Sequence, residues 1–383
     1  MRSFDVAVVG AGIVGCATAF ELARRGVRVC LLDRGDVSAG TTGLGEGNVL
    51  CSDKAPGPEL GLARLGLALF DEIEELLGDA AGIRRKGALV VHTGEAGWAA
   101  EPERLERLRA AGVECSLMTP AEVREAEPEL RGELLGASWF PGDLQCAPRA
   151  IARGLAAEAE RLGATVSTGV DVESIVIRND RIEGLDTGGG GLAVDAVVLA
   201  AGAWSAPLAR SAGLELPVEP RKGQLVRLER RPDFLRSKVI DGGYMAAVAS
   251  ADAGLRVSTV METTLDGYVL VGSSRERRGF DLTVDARVSD ALLQAAAGLA
   301  PGVRALRVES AWAGLRPWLH GGLPAIGRTA AADGLWIATG HEGAGVAHGP
   351  ITGRLVAQGI CGEPTALELE PFRPDRFGSR YLR

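Results

Sequence analysis

The opening of the chain alternates between runs that are almost wholly apolar and a run that mixes apolar and charged positions at helical spacing. Phe4 to Val9 (FDVAVV) has the pattern of a strand buried on both faces of a parallel sheet. The turn Gly10-Ala11-Gly12-Ile13-Val14-Gly15 follows. Cys16 to Arg25 then reads as a helix, with apolar Ala17, Phe20 and Leu22, charged Glu21, Arg24 and Arg25, and Gly26 as its stop. Val27 to Leu32 (VRVCLL) is a second buried strand, closed by Asp33.

Further along, Gly61 to Leu77 has helical spacing and Lys86 to Thr93 is strand-like. Thr119-Pro120-Ala121-Glu122 places an N-cap, a first-turn proline and a capping-box acid in the frame of a helix start. Pro148 to Leu162 is a second amphipathic helix. Thr165-Val166, Val172 to Ile177, Arg181 to Asp186 and Leu192 to Val194 read as a small β-meander around an Asn179-Asp180 turn, leading into a buried strand over Asp195 to Ala200. From Arg221 to Val271 the segments Gly223 to Leu228, Tyr244 to Ala249, Leu255 to Val260 and Tyr268 to Val271 predict one antiparallel sheet. A helix over Asp285 to Leu299, a strand over Leu335 to Ala338 and a last helix over Ile351 to Ile360 complete the pattern. The order predicts an α/β fold with an α+β insert: a Rossmann-like domain assembled from separated stretches, with an antiparallel-sheet domain inserted between them. The boundaries fall at 1–80, 148–216 and 314–383 for the first domain and at 81–147 and 217–313 for the second.

With 46% hydrophobic and 24% charged residues in 383, wholesale disorder is excluded. A net charge of −8 argues against a general nucleic-acid or anionic-membrane binder, since either needs a positive surface. The six cysteines (Cys16, Cys30, Cys51, Cys115, Cys146, Cys361) form no CxxC pair, and the four histidines have no metal-ligand spacing, so neither a disulfide framework nor a metal site is expected. No signal peptide precedes the strand pattern at Phe4, and no apolar stretch approaches the ~18 residues of a membrane helix, which together predict a soluble cytoplasmic protein.

The candidate chemistry begins with the GxGxxG turn. Gly10 permits the tight turn, Gly12 lets the backbone approach a pyrophosphate, and Gly15 lets the helix pack on the sheet. The helix N-terminus offers unpaired N–H groups to phosphates, and Asp33 offers a carboxylate to a ribose, which disfavours a 2′-phosphate and hence NADP. The run Ser38 to Asn48 (SAGTTGLGEGN) suits backbone wrapped around an elongated ligand; the alternative is a surface loop.

The segments VVGAGIVGCATAFELARRGVRVCLLDRG, VVLAAGAWS near residue 200, PRKGQL at 220–225, WAGLRP at 312–317 and ATGHEGAGV at 338–346 together resemble the D-amino-acid oxidase (DAO) superfamily of FAD-dependent amine and amino-acid oxidoreductases. That superfamily includes glycine oxidase, D-amino-acid dehydrogenase, D-hydroxyproline dehydrogenase and the hydrogen cyanide synthase flavin subunit. The resemblance spans essentially the whole chain and implies a glycine-oxidase-like fold. It implies FAD contacts from Gly10, Gly12, Ile13, Val14 and Gly15, and from Asp33 and Arg34 around the adenosine. Thr41, Thr42, Glu46, Gly47 and Asn48 would follow along the phosphates and flavin, with Val172, Ala200, Gly202 and Trp204 lining the dinucleotide. Gly340, His341, Gly343, Gly345 and Val346 would sit beside the isoalloxazine.

The resemblance also assigns Arg316 to the substrate carboxylate and the edge of the flavin, the alternative being an interdomain ion pair. Tyr244, or less directly Tyr268, is a pocket candidate against plain packing. His341 either tunes the ring and touches substrate or holds its turn. Two features depart from the family: Trp318-Leu319-His320-Gly321-Gly322 replaces an acid-bearing stretch, and no cysteine lies between Leu315 and Leu319, so FAD is expected to be noncovalent. The implied reaction is oxidation of the C–N bond of an amino acid or small secondary amine bearing a carboxylate, with hydride passing from the α-carbon to flavin N5 to give an imine. The acceptor is oxygen, a quinone or an electron-transfer partner. A flavin-binding subunit without its own turnover is the rival reading, and either form is compatible with a homo-oligomer.

Overall fold

In the computed structural model, which describes residues 4–377, strand Phe4–Val9 lies at the centre of an eight-stranded sheet. It pairs in parallel with Val29–Asp33 on one side and with Gly190–Leu199 on the other; Thr165–Thr168 and Leu335–Thr339 extend the parallel array outward. Ala325–Arg328 closes one edge in antiparallel pairing. The two-residue period of a strand sends Val6 and Val8 to one face and Ala7 and Val9 to the other. The first face packs under helices Ile13–Ala23, Pro148–Arg161 and Gly345–Ile360, and the second under the hairpin strands Val172–Arg178 and Arg181–Thr187 and helix Ser205–Ser211.

A second eight-stranded sheet draws its strands from Ala88–His92, Ser116–Met118 and Gly136–Phe140, and from Val218–Arg230 through Val308–Leu319. Its longest pairing sets Val218–Arg230 against Val308–Leu319, so that Arg221 is opposite Arg316 and Gly223 opposite Gly314. Helix Ala286–Leu299, N-capped by Asp285, covers its back. The capping box at Thr119 and Glu122 forms as the sequence requires, with each residue bonded to the other's backbone N–H.

Several expectations are corrected. Tyr244–Ala249 is a helix, not a strand. Its residues YMAAVA are apolar enough for either, and the decision is tertiary: Arg221 donates to the carbonyls of Ala247, Val248 and Ser250, capping the helix C-terminus. Thr165–Thr168 joins the parallel sheet instead of the meander, and Leu192–Val194 is continuous with the following buried strand in Gly190–Leu199. Lys238–Asp241 is an additional strand, and its parallel pairing with Ala88–His92 means that the second sheet is not purely antiparallel. Helix Glu95–Ala110 was not expected either; Pro102 and a mostly polar surface mask its period. The last helix begins at Gly345, with Pro350 inside it. It also crosses the first helix closely: a Cβ on Gly353 would lie 2.5 Å from the Ala17 carbonyl carbon.

Candidate active site

Between the two sheets runs an elongated cleft of about 570 Å³. It starts at the C-terminal ends of the central parallel strands, where ligands bind in open α/β sheets. Gly10 makes the first turn with φ at +108°, and a side chain there would meet the Ala200 carbonyl oxygen at 2.5 Å. Gly15 has no room either: its Cβ would be 1.8 Å from the Gly10 carbonyl oxygen, so the helix can sit down on the turn only as glycine. The helix N-cap, Gly12, has no side chain to satisfy the first-turn N–H groups; Thr42 Oγ1 accepts from Ile13 N at 3.0 Å. Asp33, at the end of its strand, accepts from Ala11 N (2.7 Å) and Gly35 N (2.8 Å), leaving carboxylate lone pairs for a ribose.

Loop residues 38–48 line the middle of the cleft and are tied to the second sheet. Thr41 Oγ1 donates to the Leu315 carbonyl at 2.5 Å and Trp312 Nε1 to the Leu44 carbonyl at 3.0 Å. Glu46 is held by Lys238 Nζ (2.9 Å) and the Asn48 amide (2.7 Å), while Lys238 also donates to Asn48 Oδ1. Burial alone would raise the Glu46 pKa, but Lys238, Asn48 and Arg316 hold it below the usual carboxylate range.

At the inner end Arg316 extends over Gly223, where a Cβ would fall 1.9 Å from its Nη1. Its guanidinium donates to the Ser274 carbonyl at 3.0 Å, and its Nε lies 4.0 Å from Glu342 Oε1. Tyr244 also lines the cleft, with its ring 4.5 Å from the guanidinium carbon of buried Arg275. Glu342 occupies the left-handed region (φ +47°), and its Oε1 lies 3.4 Å from Arg275 Nε and 3.6 Å from Arg221 Nη1. Burial opposes its ionisation, but the three guanidiniums prevail and hold its pKa below the ordinary value. His341 directs Nε2 to Thr352 Oγ1 at 3.0 Å, and burial pushes its pKa down to about 4, so the imidazole is neutral. That hydrogen bond ties the turn to the last helix, and His341 also lines the cleft.

The expected cofactor and substrate residues line this one cleft except Gly15, Gly340 and Tyr268; the two glycines shape it from behind, and a Cβ at Gly340 would press on the Leu319 side chain at 2.9 Å. Arg34 and Trp204 stack at 4.8 Å at the outer end, near Val172 and Gly202. Tyr268 does not line the cleft; it is stacked on Arg227 at 4.4 Å. Sequence reasoning missed Glu342, Arg275, Arg221 and Lys238. The first three were signalled by charged residues inside otherwise apolar or glycine-rich motifs, but nothing in one strand reveals that they converge.

The arrangement fits FAD: an acid at the ribose end, a glycine cradle and uncapped helix start at the centre, and a second helix start with no side-chain cap at Gly345 and Val346. The sequence matches the family described as FAD dependent oxidoreductase (DAO) over residues 5–359. The chain belongs to the DAO family of FAD-dependent oxidoreductases. Glycine oxidase of Geobacillus kaustophilus is 33% identical across 96% of both chains. The crystal structure of glycine oxidase from that organism superposes with a TM-score of 0.89 at 31% identity, covering 98% of this chain and 99% of that one. The crystal structure of an iminodiacetate oxidase from a Chelativorans species gives 0.83 at 29% identity, over 96% of this chain and 98% of that one. The glycine-oxidase-like fold of this DAO-family chain thus extends over both sheets. Among the described residues no helix is long and apolar enough to cross a membrane, and no cluster of three metal-ligating side chains occurs.

Proposed function

We propose that this chain oxidises the C–N bond of an amino acid or small secondary amine carrying a carboxylate. The observation that carries this reading is Arg316. It is a charged fork that lines the inner end of the cleft, where a substrate would lie, anchored by one hydrogen bond to the Ser274 carbonyl and an ion pair with Glu342. A guanidinium so placed binds both oxygens of a carboxylate and fixes the orientation of the carbon beside it. The FAD held by these residues would supply a hydride acceptor beside that carbon, and the imine so formed would hydrolyse in water. This chain's own groups bind, orient and shield: Arg316 fixes the carboxylate, Tyr244 and Leu225 wall off water, and no strong base is needed once the amine is neutral.

In this reading FAD is held noncovalently by Gly10, Gly12, Asp33, Thr41, Thr42, Gly345 and Val346. No cysteine is among the described residues that line the cleft, and the His341 ring is engaged with Thr352, which supports that attachment. The reading also assigns residues 1–80, 148–216 and 314–383 to the cofactor domain and 81–147 and 217–313 to the substrate domain. The two sheets support this division, although Val308–Leu319 carries Arg316 on the substrate-side sheet. Electrons leave to oxygen or to an electron-transfer partner.

The test is Arg316→Ala beside Arg316→Lys. A carboxylate-gripping arginine predicts a rise in substrate KM of roughly 100-fold for alanine, a smaller rise for lysine, and unchanged flavin content. An unaltered KM in both variants would remove the carboxylate role. Acid precipitation should release all of the yellow colour from the protein; flavin retained in the pellet would contradict noncovalent binding.

A further inference from the structure

Glu46 lines the cleft with a carboxylate that is only half engaged. Oε2 accepts from Asn48 Nδ2 at 2.7 Å and from Lys238 Nζ at 2.9 Å, whereas Oε1 accepts no hydrogen bond from the described residues. The Glu46 side chain is 10% exposed and that of Lys238 4%, so the pair is taken largely out of water. A buried ion pair adds little stability over apolar side chains of the same size, and a carboxylate oxygen without a donor adds a cost. A donor that arrives in the cleft accounts for the pair better than the fold does. Glu342, also at the inner end, is not equivalent: Oε2 accepts from Gly343 N, and Oε1 is shared by three guanidiniums.

Oε1 has a defined place relative to Arg316. A Cβ on Gly272 would lie 2.4 Å from Oε1 and 2.4 Å from Leu225 Cδ2, so this oxygen sits against Leu225. A Cβ on Gly223 would run into the Arg316 guanidinium. Gly223 and Leu225 are two residues apart in Val218–Arg230, on the same side of the strand, and both line the cleft. That spacing puts the guanidinium and Oε1 on the order of 7 Å apart. An α-amino acid bridges such a gap, with its carboxylate hydrogen-bonded at one end and its nitrogen at the other.

We infer that Glu46 Oε1 accepts the N–H of the substrate amine, which makes Glu46 a specificity-determining residue. A neutral primary or secondary amine offers that hydrogen and keeps its lone pair for the forming C–N double bond. A neutral tertiary amine has no hydrogen to give and leaves the buried oxygen without a donor. The inference rests on the C–N oxidation reading and deepens it.

The experiment titrates the holoprotein with pyrrole-2-carboxylate and furan-2-carboxylate. They share shape and charge, but one places an N–H and the other a ring oxygen beside the carbon that bears the carboxylate. The flavin spectrum should respond to the pyrrole at concentrations about 30-fold below those of the furan, and this preference should shrink at least about 10-fold in Glu46→Met paired with Lys238→Met. Equal concentrations in the native protein, no response to either acid, or an undiminished preference in the double variant overturns the inference. So does a folded double variant that no longer retains FAD, since Glu46 would then serve the cofactor. The native comparison decides alone if the double variant does not fold. Reduction adds a second arm. Of glycine, sarcosine and proline, whichever bleaches the flavin fastest without oxygen should do so at least about 100-fold more efficiently than its tertiary N-methylated form. Equal efficiencies overturn the inference and leave the oxidation reading intact. A pyrrole preference with no bleaching by any amino acid would sustain the acceptor and contradict the oxidation reading instead.

Discussion

Arg221 holds a whole segment in place with one side chain. Its three hydrogen bonds to the carbonyls after Tyr244 fix the short helix whose first residue lines the cleft, and its charge meets the negative end of the helix dipole. Arg221→Met removes these bonds while keeping the stem's volume. The expected result is a loss of about 2 kcal/mol in denaturant unfolding, with a raised substrate KM because Tyr244 is released. An unchanged KM would show that Tyr244 does not depend on the clamp. His341 makes a second residue-scale prediction. Its folded-state pKa of about 4, against an ordinary 6.5, means that the unfolded chain binds more protons in that window. Its contribution is intact above pH 6.5 and is lost as pH falls toward 4, to an extent on the order of 3 kcal/mol. His341→Gln, which can still bond Thr352, should show a shallower fall in stability than the parent between pH 7 and pH 4 when melts are compared at fixed FAD. Parallel curves would contradict a buried neutral imidazole.

Among the elements, the strand–turn–helix at the N-terminus is the proposed cradle of the cofactor, and its two kinds of glycine can be separated. Gly15→Val would drive a side chain into the Gly10 carbonyl, so the protein should fail to retain FAD, read as the flavin-to-protein ratio after gel filtration. Gly26→Ala, at a position with φ +77° and no atom within 4 Å, should cost only about 1 kcal/mol of stability and leave the ratio intact. Equal loss of flavin in both would mean that the turn is merely fragile. This element was fully legible because local pattern and tertiary role coincide: a buried run, a glycine turn and an acid at a strand end each have one use. Tyr244–Ala249 was not legible, since an alanine-rich apolar run suits strand or helix and Arg221, far away in sequence, makes the choice. The early start of the last helix was hidden by Gly349 and Pro350, the first of which packs on Ile13 of the first helix. The same logic applies to the site. Residues proposed from a single glycine motif could be read, whereas the meeting of Arg275, Arg316 and Glu342 arises only when two strands of the second sheet and the loop before the last helix come together.

At the scale of the whole molecule, the cleft is also the seam between two sheets, crossed by the Thr41–Leu315, Trp312–Leu44 and Lys238–Glu46 contacts. A ligand that fills the seam stabilises the native state by mass action, about 4 kcal/mol at a thousandfold excess over its Kd. Apoprotein should therefore melt several degrees below holoprotein and recover on adding FAD; coincident melts would place the cofactor outside the seam. The central claim is that a carboxylate-bearing amine reduces the flavin held there. The most direct test is anaerobic mixing of the holoprotein with glycine, sarcosine, iminodiacetate, proline and the D- and L-amino acids while the flavin absorbance is followed. The account predicts bleaching by at least one of these, lost in Arg316→Ala at the same concentration. A fully oxidised spectrum with all of them, in protein carrying its full complement of FAD, would contradict it.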